Sequence, residues 1–386
     1  MKPIPLPEKP SLFPADVTVV VPTTASKPLD LIACLQSILE SCPAKVFVVT
    51  SNTKVDRVKK RCEKDGLEID RIEFIGVPRL NKRIQMVAAL KLVKTVVTVF
   101  ADDDVLWPYD YLSFLLASFE DPEVGAAGTR QKVRRGKSSI SHFLGTSYLE
   151  RRNFNTGATN AIDGSVSTLS GRTSAYRTSI LQNQAFYMAF LNDKWFGRPL
   201  NSDDDKFLTR WIFSHNSKIR IQCDERAILQ TSLEEGANFL AQCIRWARAH
   251  WRGNLVVMTK ETYWFKKHVW SFYAIYVASF QTPALLVDGL QLWLLYRALS
   301  GLSWAVLIYF CSWIIFTKLV KLIPHFRHHP EDLRYIPVSI IFSYLHGIIN
   351  IYALLTLQVT VWGSKNLNEA DTGLVPDMIE PETEMI

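Results

Sequence analysis

TVVTVFADDDV (95–105) decides the fold class: a β-branched run of strand length stops at three consecutive aspartates, Asp102, Asp103 and Asp104. Working outward, VTVVV (17–21), KVFVV (45–49) and RIEFIG (71–76) are runs of the same kind. LDLIACLQSILESC (29–42), VDRVKKRCEKDG (55–66) and LNKRIQMVAALKLVK (80–94) lie between them, with apolar residues near helical spacing and Gly66 as a stop. Strands alternating with helices predict right-handed crossovers and a mostly parallel sheet covered on both faces. Ligands bind such sheets at the carboxyl ends of the strands, where the aspartates sit.

The chain has 386 residues, 44 Lys+Arg against 37 Asp+Glu (net +7), 48% hydrophobic and 21% charged residues. That balance excludes a disordered chain, a collagen and a small disulfide scaffold. The six cysteines (34, 42, 62, 223, 243 and 311) form no CxxC pair, which predicts reduced thiols facing a cytosol. MKPIPLPEKPSLFP at the start has too many prolines and too short an apolar run for a signal peptide. The mean hydropathy of +0.05 averages two unlike parts.

After residue 265 the composition changes. Residues 272–296 hold one acid, Asp288; residues 302–317 hold no charge; residues 336–362 form the longest uncharged run, interrupted by Pro337, His346, Gly347 and Asn350. Each approaches the roughly 20 residues that cross a ~30 Å hydrocarbon layer. KLIPHFRHHPEDLR (321–334) is rich in Lys, Arg and His, which the positive-inside rule places in the cytosol. Runs one and two would then leave the cytosol and return, while the Gly, Pro, His and Asn of run three suit either a full span or a broken or interfacial helix lining a protein cavity. The positive excess gathers around these runs, so nucleic acid is not an expected partner. The last twenty residues read as an acidic tail.

Three clusters carry chemistry. If the strand geometry continues, Asp102 and Asp104 point the same way, and two hard carboxylates there suit Mg²⁺ or Mn²⁺ on a diphosphate; a solvated turn or helix cap is the plain alternative. NSDDDKFLTRW (201–211) offers either a helix cap, through Asp203 or Asp204, or a general base. In EEGANFLAQCIRWARAHWRGN (234–254), Gln242, Arg245 and Trp246 share a helix face, with Arg248 and Arg252 continuing a basic stripe. Amide, guanidinium and indole together can hold phosphate and stack on a sugar; the alternative is a basic amphipathic helix at a membrane surface. RLNKR (79–83) is an anion-site candidate or a solvated helix start, and Trp362 in WGSK (362–365) by itself reads as an interfacial tryptophan.

In this order, the strand with DDD, then SDDDKFLT, then QCIRW, then apolar runs, the sequence resembles the processive family 2 glycosyltransferases, which include the hyaluronan, chitin and cellulose synthases, and most nearly the hyaluronan synthases and fungal membrane polysaccharide synthases. The resemblance spans about Val17 to Lys365. It implies an α/β GT-A type (Rossmann-like mixed sheet) catalytic domain over 17–235 after an extension of residues 1–16. Interfacial helices would follow over 236–267, a transmembrane or re-entrant region over 268–365, and the acidic tail over 366–386.

The resemblance also assigns roles. Asp102 would contact UDP and Asp104 the cation, Mn²⁺ or Mg²⁺, with both as metal-site residues. Asp205, in the acidic motif with Asp204, would be the base. Lys82, Arg83, Gln242 and Arg245 would bind the donor, and Trp362 would close over its diphosphate. Trp246, Gly171 and Arg172, the last two from SGRTSAYR (170–177), would meet the acceptor. Two departures stand out: the acidic pair usual after the second strand is replaced by TSNTKVD (50–56), leaving Asp56, and no N-terminal transmembrane helix precedes the first strand. The pore is then expected to need an accessory subunit or a further N-terminal helix.

The implied activity is elongation of a β-linked polysaccharide from a UDP-sugar, with export across a plasma membrane whose lipids surround the enzyme and whose cytosolic side carries the catalytic domain. The alternative is a glycolipid-forming enzyme of the ceramide glucosyltransferase kind, in the Golgi or ER.

Overall fold

In the computed structural model, residues 2–134, 136, 139–234, 236–261, 263–298 and 303–360 are described. The four runs become β1 (Val17–Pro22), β2 (Lys45–Ser51), β3 (Ile72–Val77) and β4 (Val97–Ala101). Between them lie α1 (Pro28–Glu40), α2 (Val55–Lys64) and α3 (Lys82–Leu90). Helix α2 ends just before Gly66, whose φ of +76° suits a residue without Cβ. Strand β5 (Val105–Leu106), α4 (Tyr111–Leu116), β6 (Val124–Thr129) and β7 (Gln131–Val133) lead into the long α5 (Ile140–Asp163). Strand β8 (Thr173–Arg177), α6 (Thr178–Leu181), α7 (Gln184–Leu191) and the hairpin of β9 (Lys194–Trp195) and β10 (Arg198–Pro199) follow. Then come α8 (Asp204–Ser214), β11 (Lys218–Gln222) and β12 (Leu229–Thr231).

The main sheet runs β11-β6-β8-β4-β1-β2-β3, all parallel except β8, which is antiparallel to both neighbours. Strand alternation divides the core as expected: Val17, Val19, Val21, Val97 and Val99 pack under one face, Val20 and Phe100 under the other. The reversed β8 matters for the site. Its start, not its end, lies at the carboxyl edge of β4, so Arg172 O accepts from Asp102 N at 2.8 Å. A small sheet, β5-β12-β7, brings the residue after β12 to the same edge.

Helix α9 (Ala237–Lys260) follows, then α10 (Tyr263–Lys267) and α11 (Val269–Ser271). The first apolar run does not form one continuous α-helix, as a simple membrane leg would require. It begins as a π-helical segment (Phe272–Val277) and a 3-10 turn (Ala278–Gln281), breaks at Thr282–Pro283, and resumes as the 15-residue α12 (Ala284–Ala298). Pro283 has no amide hydrogen to continue the ladder. The lone acid Asp288 finds Lys318 Nζ at 2.6 Å on α13 (Trp304–Leu319). After α14 (Ile323–His328), α15 (Ile336–Leu355) is uninterrupted. Two helical stretches, Trp304–His328 and Pro330–Leu355, are long and apolar enough to cross a membrane.

Helix α15 lies along α9. Phe239, Cys243, Ala247 and Trp251, spaced one turn apart, pack on Phe342, Ile349 and Ala353. The apolar stripe of α9 is therefore covered by α15. Both ends of α15 touch the catalytic unit: Tyr335 stacks on Phe143 of α5 at 5.1 Å, and just past the other end Gln358 O accepts from Arg198 of β10 at 3.4 Å, while Leu357 O accepts from Arg252 of α9 at 3.2 Å.

Candidate active site

The site is a cleft of about 730 Å³ at the carboxyl edge of the sheet, continuing between α5, α9 and the apolar helices. Asn81 caps α3, its side chain accepting from the amides of Arg83 (2.9 Å) and Ile84 (3.2 Å). That start aims Lys82 into the cleft, where Nζ lies 2.7 Å from Asp102 Oδ1 and 3.2 Å from Asp204 Oδ2. One lysine thus joins the two acidic motifs. Burial pulls its pKa down, but Asp102 and Asp204 more than reverse this.

Arg83 goes the other way. It is 2% exposed, donates to the carbonyls of Phe190 (2.7 Å) and Ser202 (2.8 Å), and pairs with Asp193 at 3.0 Å. Adjacent helix positions point about 100° apart, so Lys82 and Arg83 cannot both face the donor. The structure makes Arg83 a brace behind the site, in place of the donor contact expected for it.

The three aspartates after β4 also separate. The strand ends at Ala101 and the chain turns, so the extended geometry expected for Asp102 and Asp104 does not persist. Asp102 takes Lys82, Asp103 accepts from the Thr23 hydroxyl, and Asp104 accepts from Ser232 Oγ at 2.8 Å. Burial and the neighbouring carboxylates push Asp103 up to about 6 against the Thr23 hydrogen bond, and Asp104 is also raised. Among the described residues no three His, Cys, Asp or Glu side chains form a ready-made metal cage. Crowded carboxylates at the cleft, destabilised by one another, fit a divalent cation that draws its remaining ligands from phosphate and water. Asp56 is exposed and does not line the cleft, whose wall beside β1 is formed by Thr23, Thr24 and Lys27.

At the start of α8 the capping expectation fails in an informative way. Asp203 occupies the cap position at φ +64° but makes no side-chain capping bond. Its carboxylate instead meets Arg252 in a two-point contact, 2.7 Å to Nε and 2.9 Å to Nη2, with both side chains under 5% exposed. Arg252 was legible only as part of a basic stripe. Asp204 faces Lys82; burial would raise it, yet Lys82 and Arg83 hold it below the usual carboxylate range. Asp205 is raised by burial and by Asp204, with Lys206 and Lys82 opposing. Oδ1 of Asp205 accepts from Lys206 N at 2.7 Å, while a Cβ placed on Gly171 would sit 3.8 Å from Oδ2. The missing side chain at Gly171 leaves room beside that oxygen.

Gln242, Arg245 and Trp246 all line the cleft. Gln242 Oε1 and Arg245 Nε are buried with no protein partner, the state expected of atoms that wait for a ligand. The Trp246 indole stacks on Tyr148 at 4.9 Å and lies 5.3 Å from the Arg172 guanidinium. The platform is therefore a composite of three side chains. Tyr148, Arg151 and Arg152 of α5 also line the cleft, as do Thr23 and Ser232, and none was expected there. Trp362 and WGSK lie outside the described residues.

The model of glycosyltransferase-like family 2 matches residues 14–249, which carry Lys82, the aspartates 102–104 and 203–205, and the Gln242–Trp246 face. The chain belongs to that family. A type 2 glycosyltransferase of Gibberella zeae is 41% identical over 377 residues, covering 95% of this chain and 71% of the relative. Human hyaluronan synthase 3 is 26% identical over 290 residues, covering 72% of this family 2 chain but 49% of the synthase. Among solved structures, a mannosyltransferase from Pyrobaculum calidifontis in complex with GDP-Man and Mn²⁺ covers 92% of this chain and 90% of its own, with TM-score 0.55 and 17% identity. The mixed sheet is thus the GT-A-like fold of a glycosyltransferase.

Proposed function

We propose that this family 2 glycosyltransferase takes a sugar from a UDP-sugar and adds it, with inversion, to a hydroxyl of a growing β-linked polysaccharide, which it passes across a membrane. The observation that carries the reading is Lys82 bridging Asp102 and Asp204, which sets the acidic strand end beside the Asp205 base in one cleft. The acceptor oxygen attacks the anomeric carbon from the side of Gly171 and gives its proton to Asp205 Oδ2. The new C–O bond forms as the bond to the diphosphate breaks, and that electron pair leaves with UDP. A raised Asp205 suits a base that must hold a proton once it has taken one. Asp102 and Asp104 would hold Mn²⁺ or Mg²⁺, whose charge offsets that of the leaving diphosphate, and Arg245 with Lys82 adds to this. The GDP-Man and Mn²⁺ bound by the archaeal neighbour support a sugar-nucleotide donor and a divalent cation; UDP is this reading's own choice.

For the membrane, α15 is read as an interfacial helix, because it runs along α9 and both its ends touch the catalytic unit. The first run, crossing as two helical pieces broken at Thr282–Pro283, then pairs with the returning α13 as a hairpin, with the catalytic domain cytosolic and the plasma membrane as the site. UDP release by the purified full chain across a panel of UDP-sugars, with products sized on a gel, tests the reading. One active donor giving high-molecular-weight product supports it; a single-sugar glycolipid replaces polymer elongation with the glycolipid reading. Asp205→Asn should abolish release while UDP still binds, and unaltered turnover would remove Asp205 from the mechanism.

A further inference from the structure

Beyond Asp205 the cleft continues toward the apolar helices, and its walls there are cationic without matching acids. Arg151 and Arg152 of α5 and Lys321, just past α13, line this arm. Arg151 Nη2 donates to Lys318 O (3.2 Å) and Ser339 Oγ (2.9 Å). Arg152 Nη2 donates to Thr168 O (3.2 Å), and Lys321 Nζ to Asn155 Oδ1 (2.7 Å). Every one of these acceptors is neutral. Among the described residues no carboxylate lies within 4.0 Å of Arg151, Arg152 or Lys321, whereas neighbouring Lys318 is neutralised by Asp288 at 2.6 Å. The carboxylate whose field reaches Arg152 is that of Asp205, which the transfer step already uses. Burial lowers both arginines, and Arg152 falls to about 10 with repulsion from Arg172 added. In the same arm His346 Nε2 is buried without a partner.

Half-buried cations satisfied only by neutral oxygens are costly, and an anion with several acceptor oxygens relieves them together. Arginine's planar fork favours phosphate among such anions. The position of the arm names the source. Lys321 lies where the apolar α13 gives way to the charged linker, and Ser339 belongs to the helix read as interfacial, so the arm sits at headgroup depth.

We propose that this arm binds the phosphate of an anionic membrane lipid, held at Arg151, Arg152 and Lys321 on the membrane side of the cleft. The inference rests on the proposed reading of α15 as an interfacial helix. Its test uses the purified full chain, with fluorescent phosphatidic acid against fluorescent phosphatidylcholine as probes and UDP affinity measured separately. Phosphatidic acid should bind more tightly than phosphatidylcholine. The Arg151→Gln/Arg152→Gln pair should weaken it about tenfold or more while UDP affinity holds, and Arg151→Lys/Arg152→Lys should retain most of it. Lys321→Gln, outside α5, should weaken it independently of any effect on that helix. Equal binding of the two lipids, indifference to the arginine pair, or displacement by inorganic phosphate as effective as by phosphatidic acid would overturn the assignment. Lipid binding is read without donor, so failure of UDP release with every donor would sink the proposed transfer and leave this result standing.

Discussion

Arg252→Met is the sharpest test of how the site is held. Arg252 and Asp203 are 3% and 4% exposed and meet at 2.7 and 2.9 Å, and the same guanidinium donates to Leu357 O (3.2 Å), Val359 O (3.1 Å) and Ser202 Oγ (3.2 Å). Methionine retains much of the packing volume, so little of the effect comes from a cavity. What remains is a buried carboxylate without its cation, which costs roughly 3–5 kcal/mol, a large part of a typical stability of about 5–15 kcal/mol. Asp203 starts α8, so displacement by about 1 Å would carry Asp204 and Asp205 with it and cut UDP release on the order of a hundredfold. Unfolding midpoints in one detergent, at one scan rate, measure the first effect. Asp203→Asn combined with Arg252→Met removes the stranded charge and should recover more than half of the loss. A wild-type midpoint for Arg252→Met, or a double variant no more stable than the single one, would refute the reasoning.

Other predictions concern chemistry and packing. Because Asp205 is raised and, as the proposed base, would act only when ionised, activity should fall with decreasing pH through a value above the usual carboxylate range; Lys206→Met removes an opposing cation and should move that limb to still higher pH in a pH–rate profile. Chelation with EDTA should stop UDP release and Mn²⁺ or Mg²⁺ should restore it, while Asp104→Ala should resist rescue at the same cation concentration. A Cβ on Gly347 would meet Thr282 O at 3.0 Å and Ala284 N at 3.1 Å, both backbone. Gly347→Ala should therefore cost about 1–3 kcal/mol of stability, read as a lower unfolding midpoint, although alanine is the better helix former.

The four leading strands and the helices between them were legible because β-branched runs and apolar spacing report the same burial that the sheet later imposes. Asp102, Lys82 and the Gln242–Trp246 face were legible as motifs, and the structure gathers them into one cleft. Helix α5 was not. Gly145, Thr146, Ser147, Asn153, Asn155, Thr156 and Gly157 are weak helix formers, and contacts such as Asn153 with the Gln131 backbone (2.7 and 3.2 Å) help to hold it. Missing α5 meant missing Tyr148, Arg151 and Arg152. The direction of Arg83 was hidden for a different reason: a motif names neighbours, but a helix sends them to different sides. The partnership of Asp203 with Arg252 spans 49 positions and two helices, and nothing local announces it.

That partnership also sets an order of assembly. Ribosomes deliver α8 well before α9, and α9 well before residues 357–359, so each newly made chain carries Asp203 for a time without its cation, and Arg252 for a time without its carbonyls. The acidic motif can settle only after residues 357–359 have emerged. Nascent or truncated products ending before α15 should therefore be silent, which would spare the cell a transferase that works before its fold is complete.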